Sequence, residues 1–216
     1  MIDPQTPLKY QIQEPKINAE DKSPAIFLIH GYGSHMDDLF AFAPYLSDKH
    51  TIIALEAPFS MGPDSYAWYA FEYDEYGGLQ ANNVQAMEVI ACLIVNIKNL
   101  CRDHALEEND LTLLGFSQGA ILSWAIALQQ PNFIRRVVAL SGYINSDFVE
   151  NIQPEFLVYA AHGINDLVIP IEKARSSIAV LCEKYPNIHY QEYEDGHSVS
   201  QENFTHLLDW LGATDL

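Results

Sequence analysis

The sequence predicts an α/β fold: a mostly parallel central sheet with helices on both faces. Two observations carry this. Residues 25–29 and 156–161 are apolar at consecutive positions, as strands covered on both faces are. Between such runs lie longer stretches with apolar residues three and four apart, and the two patterns alternate from Ile26 onward. Parallel neighbours need a crossover, and a helix is the usual one. At 216 residues the chain reads as a single domain, 1–216, large enough to bury a full core.

Residues 8–13 alternate apolar and polar, which suits an edge strand, and a polar turn follows at 21–24. The 25–29 strand ends in His30-Gly31-Tyr32-Gly33. Residues 37–46 read as a helix with Leu39, Phe40, Phe42, Ala43 and Leu46 inward, and 51–57 as the next strand, closed by Pro58. From 59 to 78 no clear period holds: Tyr66, Trp68, Tyr69, Phe71, Tyr73 and Tyr76 mix with Asp64, Glu72, Asp74 and Glu75. A long loop in a compact domain is more often functional than idle. Residues 82–101 return to helical spacing, with Val84, Met87, Ile90, Ala91, Ile94, Ile97 and Leu100 on one broad face. A strand at 111–116 and a helix to about Gln129, stopped before Pro131, come next. Buried strands at 136–142 and 156–161, a helix at 171–185, a last strand at 188–193 and a closing helix at 200–211 complete the chain.

The charge excludes some partners. Asp and Glu number 29 against 11 Lys and Arg, a formal net charge of −18. That argues against nucleic acid and anionic membrane surfaces, and favours neutral or cationic substrates. No apolar run approaches the length of a membrane span, and the N-terminus lacks the basic start and apolar segment of a signal peptide, so a cytoplasmic location is expected. Cys92, Cys101 and Cys182 fit no zinc spacing and fall in predicted helices, which makes them packing residues. With no metal cluster, phosphate-binding loop or dinucleotide fingerprint in the sequence, no cofactor is implied.

The chemistry centres on Gly115-Phe116-Ser117-Gln118-Gly119, a Gly-x-Ser-x-Gly pattern between a predicted strand and a predicted helix. Glycines on either side let strand and helix approach closely around a sharp turn, which presents the serine hydroxyl at the carboxyl end of the sheet. The plain alternative is a strand-to-helix turn with a capping serine. A serine nucleophile needs a base, and the base needs a group to hold it. Of the eight histidines, His50, His104 and His206 lie beside or within predicted helices, His189 lies within a strand and His35 in a solvated loop. His30 and His162 sit in His-Gly turns, where a hydrogen bond to the loop backbone is the better reading. His197, after the last strand and beside Gly196, is left as the base. Asp166 is favoured as the acid, with Asp147 as its rival. The order Ser117, Asp166, His197 is that of α/β-hydrolases. Donors for a developing oxyanion are expected from the amides of Gln118 and Tyr32.

With these residues in place the chain resembles the carboxylesterase/phospholipase-like branch of the α/β-hydrolases, which includes small carboxylesterases and acyl-protein thioesterases. The matching pieces are His30-Gly31-Tyr32-Gly33 with Asp37-Asp38, then Gly115-Phe116-Ser117-Gln118-Gly119, then the stretch from His162-Gly163 through Asp166 to Pro170, then Gly196-His197. The resemblance as a whole runs from about Ala25 to Leu211. The resemblance implies hydrolysis of carboxylic esters or thioesters by an acyl-enzyme on Ser117, no large cap domain, and a possible homodimer. It also assigns the loop after the 51–57 strand to the acyl pocket, with Trp68 as its tryptophan. That loop is richer here in tyrosine and carboxylate than the family pattern, which weighs against long acyl chains. Tyr32, Trp68, Tyr69, Phe71, Tyr143, Leu167 and Val168 are the expected substrate-binding residues, suited to a small to medium acyl or aromatic group. The alternatives are a thioesterase or lysophospholipase on the same residues, or a non-catalytic ligand-binding protein on the same fold.

Overall fold

The computed structural model describes residues 2–17, 22–73 and 79–216. Asp21 of the expected turn, and residues 74–78 of the expected loop, lie outside the described residues.

A seven-stranded sheet forms the centre of the structure. Its strands in chain order are β1 (Tyr10–Gln13), β2 (Ser23–Ile29), β3 (Thr51–Leu55), β4 (Leu106–Phe116), β5 (Arg136–Leu140), β6 (Leu157–Gly163) and β7 (Ile188–Tyr193). In space they run β1-β3-β2-β4-β5-β6-β7. Only the edge strand β1 is antiparallel to its neighbour; every other pair is parallel. Ser23 and Pro24 join β2 rather than the expected turn, because the Ser23 hydroxyl bonds that of Thr51 on β3 at 2.6 Å. Pro24 is at the start of the strand, where a missing N–H does least harm.

The consecutive apolar positions have a direct structural cause. Phe27 and Ile29 enter one core with Ile53, Leu55, Leu113 and Ala139; Ile26 and Leu28 enter the other with Ile52, Ala54, Leu114 and Val138. Side chains alternate across a strand, so a strand with a core on each side has no polar face to show. Helices α2 (Asn83–Asp103), α3 (Gln118–Gln129) and α4 (Ile171–Ser177) cover the first face. Helices α1 (Met36–Phe40) and α5 (Gln201–Ala213) cover the second.

Two expected helices are broken. The helix at 37–46 stops at Phe40 and resumes as a short 3-10 turn, Ala43–Tyr45. Pro44 lacks the N–H a continuous helix needs there and its ring would meet the carbonyl of Phe40. The helix at 171–185 stops at Ser177, before a 3-10 turn at Ala179–Leu181. There the hydroxyls of Ser176 and Ser177 both donate back to the Lys173 carbonyl, a local bonding choice that weakens helices.

Helix α2 begins as expected, with the Asn82 side chain accepting from the Gln85 amide at 2.9 Å. Ile90, Ile97 and Leu100 are buried as expected, but the rest of the buried face is turned from the expected one. Val84 and Met87 are exposed, while Ala86, Val89, Cys92, Leu93 and Asn96 are buried. Asn96 explains the rotation: it accepts from the Leu8 amide at 2.9 Å and donates to the Thr6 carbonyl at 3.0 Å, which ties the N-terminal segment to the helix. By length and composition α2 could cross a membrane, contrary to the expectation that no run approaches that length, but half of the qualifying stretch is buried against the protein.

Among its described residues the aperiodic stretch is largely extended and paired. It folds as two small antiparallel hairpins, Phe59–Gly62 with Ser65–Ala67 and Phe71–Tyr73 with Leu79–Ala81. Strands of three or four residues are too short to display alternation, so the sequence carried no period to read.

Candidate active site

The carboxyl ends of β2, β4, β6 and β7 lie along one edge of the sheet, with β5 between β4 and β6, and the chemistry-bearing segments leave from them. Ser117 sits between β4 and α3 with φ 54° and ψ −115°, a conformation an L-residue adopts only under constraint. Constraint comes from packing. A Cβ on Gly119 would lie 1.9 Å from the Ile29 carbonyl oxygen, and one on Gly115 would lie 2.3 Å from that of Gly119. Strand and helix therefore touch at the backbone, and the turn between them is forced. The Ser117 amide donates to the Leu140 carbonyl at 2.9 Å, which fixes the turn to β5.

The Ser117 hydroxyl lies 2.9 Å from His197 Nε2, and His197 Nδ1 lies 2.7 Å from Asp166 Oδ2. A nitrogen facing a carboxylate carries the proton, so Nδ1 donates to Asp166 and Nε2 is free to accept from Ser117. The imidazole rests against Phe116, with ring centroids 4.9 Å apart. Asp166 is buried, and its Oδ1 accepts from the amides of Val168 and Ile169 at 2.8 and 2.9 Å. Two backbone donors thus orient the carboxylate towards His197. The acid and base loops are also joined directly, since the Asn165 amide donates to the Asp195 carbonyl at 2.9 Å. Asp147, the rival acid, is exposed and accepts from Asn83 Nδ2 at 2.9 Å.

His30 and His162 are structural, as expected. His30 Nδ1 donates to the Gly31 carbonyl at 2.8 Å and Nε2 accepts from the Ala57 amide at 3.1 Å. Burial lowers its pKa to about 4, so the ring is neutral. His162 Nε2 donates to the Ile169 carbonyl at 2.8 Å and lies 3.3 Å from Asp166 Oδ2, which supports the acid loop from beneath.

Gln118 is the first residue of α3 and therefore has one of the amides a helix leaves without an intrahelical acceptor. Tyr32 follows β2 on the facing loop, its ring half-exposed against Phe71 with centroids 5.1 Å apart. Phe71 in turn meets Tyr69 at 5.9 Å. Tyr143 is half-buried under the Lys173 ammonium, 4.8 Å from its ring centroid. Leu167 and Val168 project into solvent at 96% and 67% exposure, beside Asp166 on the rim. Two expected pocket residues stand elsewhere. Trp68 and Tyr69 are wholly buried, and the Trp68 indole N–H donates to the His30 carbonyl at 2.8 Å. They support the wall of the site from behind and offer no surface to a ligand.

One contributor is absent from the sequence reading altogether. The side chain of Gln118 accepts from the Trp68 amide at 2.9 Å and donates to the Tyr69 carbonyl at 2.8 Å. Only its main-chain amide had a foreseeable role; a buried glutamine beside the serine was the signal that a partner was required.

Comparison with known proteins places this geometry in context. A family model described as phospholipase/carboxylesterase matches residues 11–214. The esterase YpfH of Escherichia coli is 25% identical over 196 residues, covering 88% of this chain and 82% of that protein. Acyl-protein thioesterase 1 of Yarrowia lipolytica is 26% identical over 150 residues, covering 64% of this chain and 66% of that protein. Among solved structures, esterase PE8 superposes with a TM-score of 0.84 at 23% identity, covering 96% of this chain and 99% of that one.

Proposed function

The chain belongs to the phospholipase/carboxylesterase family, and we propose that within it the protein is a serine hydrolase of small to medium acyl or aromatic carboxylic esters. Family membership and its esterase relatives support ester hydrolysis as the reaction class. The observation that carries the assignment of residues is the chain of two contacts, 2.9 Å from Ser117 Oγ to His197 Nε2 and 2.7 Å from His197 Nδ1 to Asp166.

In this reading the Ser117 hydroxyl attacks the ester carbonyl while His197 Nε2 takes its proton. Asp166 holds the ring in the tautomer that can accept, and stabilises the imidazolium that forms. The amides of Tyr32 and Gln118 donate to the carbonyl oxygen as it gains charge. His197 then returns the proton to the leaving alcohol. Water, activated by the same imidazole, releases the acid from Ser117. The half-exposed rings of Tyr32 and Phe71 form an aromatic side to the entrance, and the acidic surface favours neutral or cationic esters. The thioesterase reading uses the same residues and draws on the Yarrowia lipolytica relative. An ester and its matching thioester at each acyl length, assayed side by side, separate the two.

Replacing Ser117 by Ala removes the nucleophile and leaves the backbone intact. Turnover of p-nitrophenyl butyrate is expected to fall by at least about 10⁴-fold, with the circular dichroism spectrum unchanged. A fluorophosphonate probe is expected to label Ser117 of the native protein. Label on another residue, or undiminished turnover by Ser117→Ala, overturns the assignment.

A further inference from the structure

The two expected oxyanion donors belong to different elements: Tyr32 to the loop after β2, Gln118 to the start of α3. The end of β2 and the start of α3 already meet at Gly119, and one short stretch bonds the elements on both sides of that contact. The Gly33 amide donates to the Tyr66 carbonyl and the Tyr66 amide donates to the Ser34 carbonyl, each at 2.8 Å. Two residues on, the Trp68 indole N–H holds the His30 carbonyl at 2.8 Å. Tyr32 therefore lies between two backbone groups, the His30 carbonyl and the Gly33 amide, that the same stretch secures. At its far side the stretch is gripped by α3: the Trp68 amide and the Tyr69 carbonyl bond the two ends of the Gln118 side-chain amide at 2.9 and 2.8 Å.

We propose that residues 66–69 are a strap that sets the distance between the two oxyanion donors, with Trp68 and the side chain of Gln118 as its positioning residues. The inference rests on the proposed acyl-transfer reading. Three features support it beyond the bonds themselves. Trp68 and Gln118 are both buried, so their bonds are shielded from competing water. The Gln118 side chain bonds both ways, donor and acceptor, and so fixes position along the strap as well as distance from it. The Trp68 ring packs on His30, centroids 5.2 Å apart, and His30 is itself pinned to Ala57 and Gly31. The loop is therefore held from the strap and from β3 together. Gln118 would then have two separate tasks, with its main-chain N–H meeting the oxyanion and its side chain placing the opposite donor.

The test uses Gln118→Leu, which keeps the main-chain amide and removes both side-chain bonds, and Trp68→Phe, which keeps an aromatic ring and removes the indole donor together with part of the ring volume packed near His30. A displaced donor costs on the order of 10²-fold. Gln118→Leu is expected to lower kcat by about that factor with KM changed less than about threefold. Trp68→Phe is expected to lower kcat by about tenfold. Phenylboronic acid mimics the tetrahedral adduct, and its affinity should weaken in the same proportion as kcat/KM in each variant. The double variant should lose less than the product of the two single losses, because both act on one strap. Native kcat and native boronate affinity in well-folded Gln118→Leu and Trp68→Phe, with only a lower melting temperature, overturn the strap. If Gln118→Leu does not fold, Trp68→Phe decides alone. Ser117→Ala assayed in parallel keeps the two questions apart: retained turnover there defeats the hydrolase reading, whereas native behaviour of the strap variants beside an inactive Ser117→Ala defeats only the strap.

Discussion

Both ends of the central sheet set a histidine against an aspartate, and the two pairs differ in what fills the remaining valences. At the amino end, the wholly buried Arg136 at the start of β5 donates to Thr112 Oγ1 at 2.8 Å, to Asp215 at 3.0 Å, to His50 Nε2 at 2.8 Å and to Asp110 at 3.1 Å. Arg135 adds a second contact to Asp110 at 3.1 Å and holds the Thr214 carbonyl at 2.6 Å. At the carboxyl end no guanidinium intervenes between the partners. Asp166 is held by backbone amides, His197 by Asp166, and the second nitrogen of His197 faces a hydroxyl. An arginine is a fixed donor that never gives up its proton, so the amino-end cluster is a lock on the C-terminal segment. A hydroxyl can give its proton up, which is the property the proposed mechanism draws on at the carboxyl end. Residue type is shared; the difference lies in whether one imidazole nitrogen meets a transferable proton.

Asp166→Asn tests the reactive end most severely after the nucleophile itself. An amide in that place cannot enforce the Nδ1–H tautomer, and kcat for p-nitrophenyl esters is expected to fall by about 10⁴-fold with little loss of stability. Asp147→Asn, assayed beside it, should retain activity within about twofold, since that side chain bonds Asn83 on the surface. Equal losses in the two would reopen the choice of acid.

Arg136→Met reverses the pattern. It leaves Asp110 and Asp215 buried or half-buried without their main cation, and is expected to cost about 3–5 kcal/mol in urea unfolding. Activity per folded molecule should stay native, because the cluster lies at the opposite end of the strands. A large fall in kcat with unchanged unfolding would erase the distinction drawn between the ends.

A smaller effect concerns pH and touches both ends. Burial lowers the pKa of His30 to about 4, and also lowers that of His50, where the Arg136 charge adds to the effect while Asp215 and Asp110 oppose it. The unfolded chain binds a proton at each site near pH 6.5, which folded His30 refuses until about pH 4. Stability from His30 is thus fully present above about pH 6.5 and lost as pH falls towards 4. Urea midpoints measured from pH 7 to 4.5 should drop, and His30→Asn should flatten the curve. A native slope in that variant would assign the acid sensitivity to His50, whose pKa burial also lowers.

Much of this was legible in the chain. Ile26, Phe27, Leu28 and Ile29 announce a strand with a core on each side; Ser117, Asp166 and Tyr32 each follow such a strand, and His197 follows the alternating strand at 188–193. A parallel sheet gathers its carboxyl ends on one edge, so that order alone brings the four together. The misreadings share a cause. Val84 and Met87 fit the helical period of α2 as well as Ala86 and Val89 do, and the choice fell to Asn96, whose partners Thr6 and Leu8 lie some ninety residues away in sequence. Trp68 read as a pocket residue because an aromatic in an aperiodic stretch has no local partner; its partner is the His30 carbonyl.

The sequence by itself determined the alternation of strands and helices, the glycines that force the Ser117 turn, and the order in which Ser117, Asp166 and His197 follow their strands. These depend on local spacing and on Cβ sterics, which a chain carries wherever it goes. Tertiary structure alone decided which face of α2 is buried, that residues 59–62 pair with 65–67 and 71–73 with 79–81, and that Gln118 grips Trp68 and Tyr69. Those outcomes depend on where distant hydrogen-bond donors and acceptors find one another once water is excluded, and no pattern of neighbouring residues encodes that.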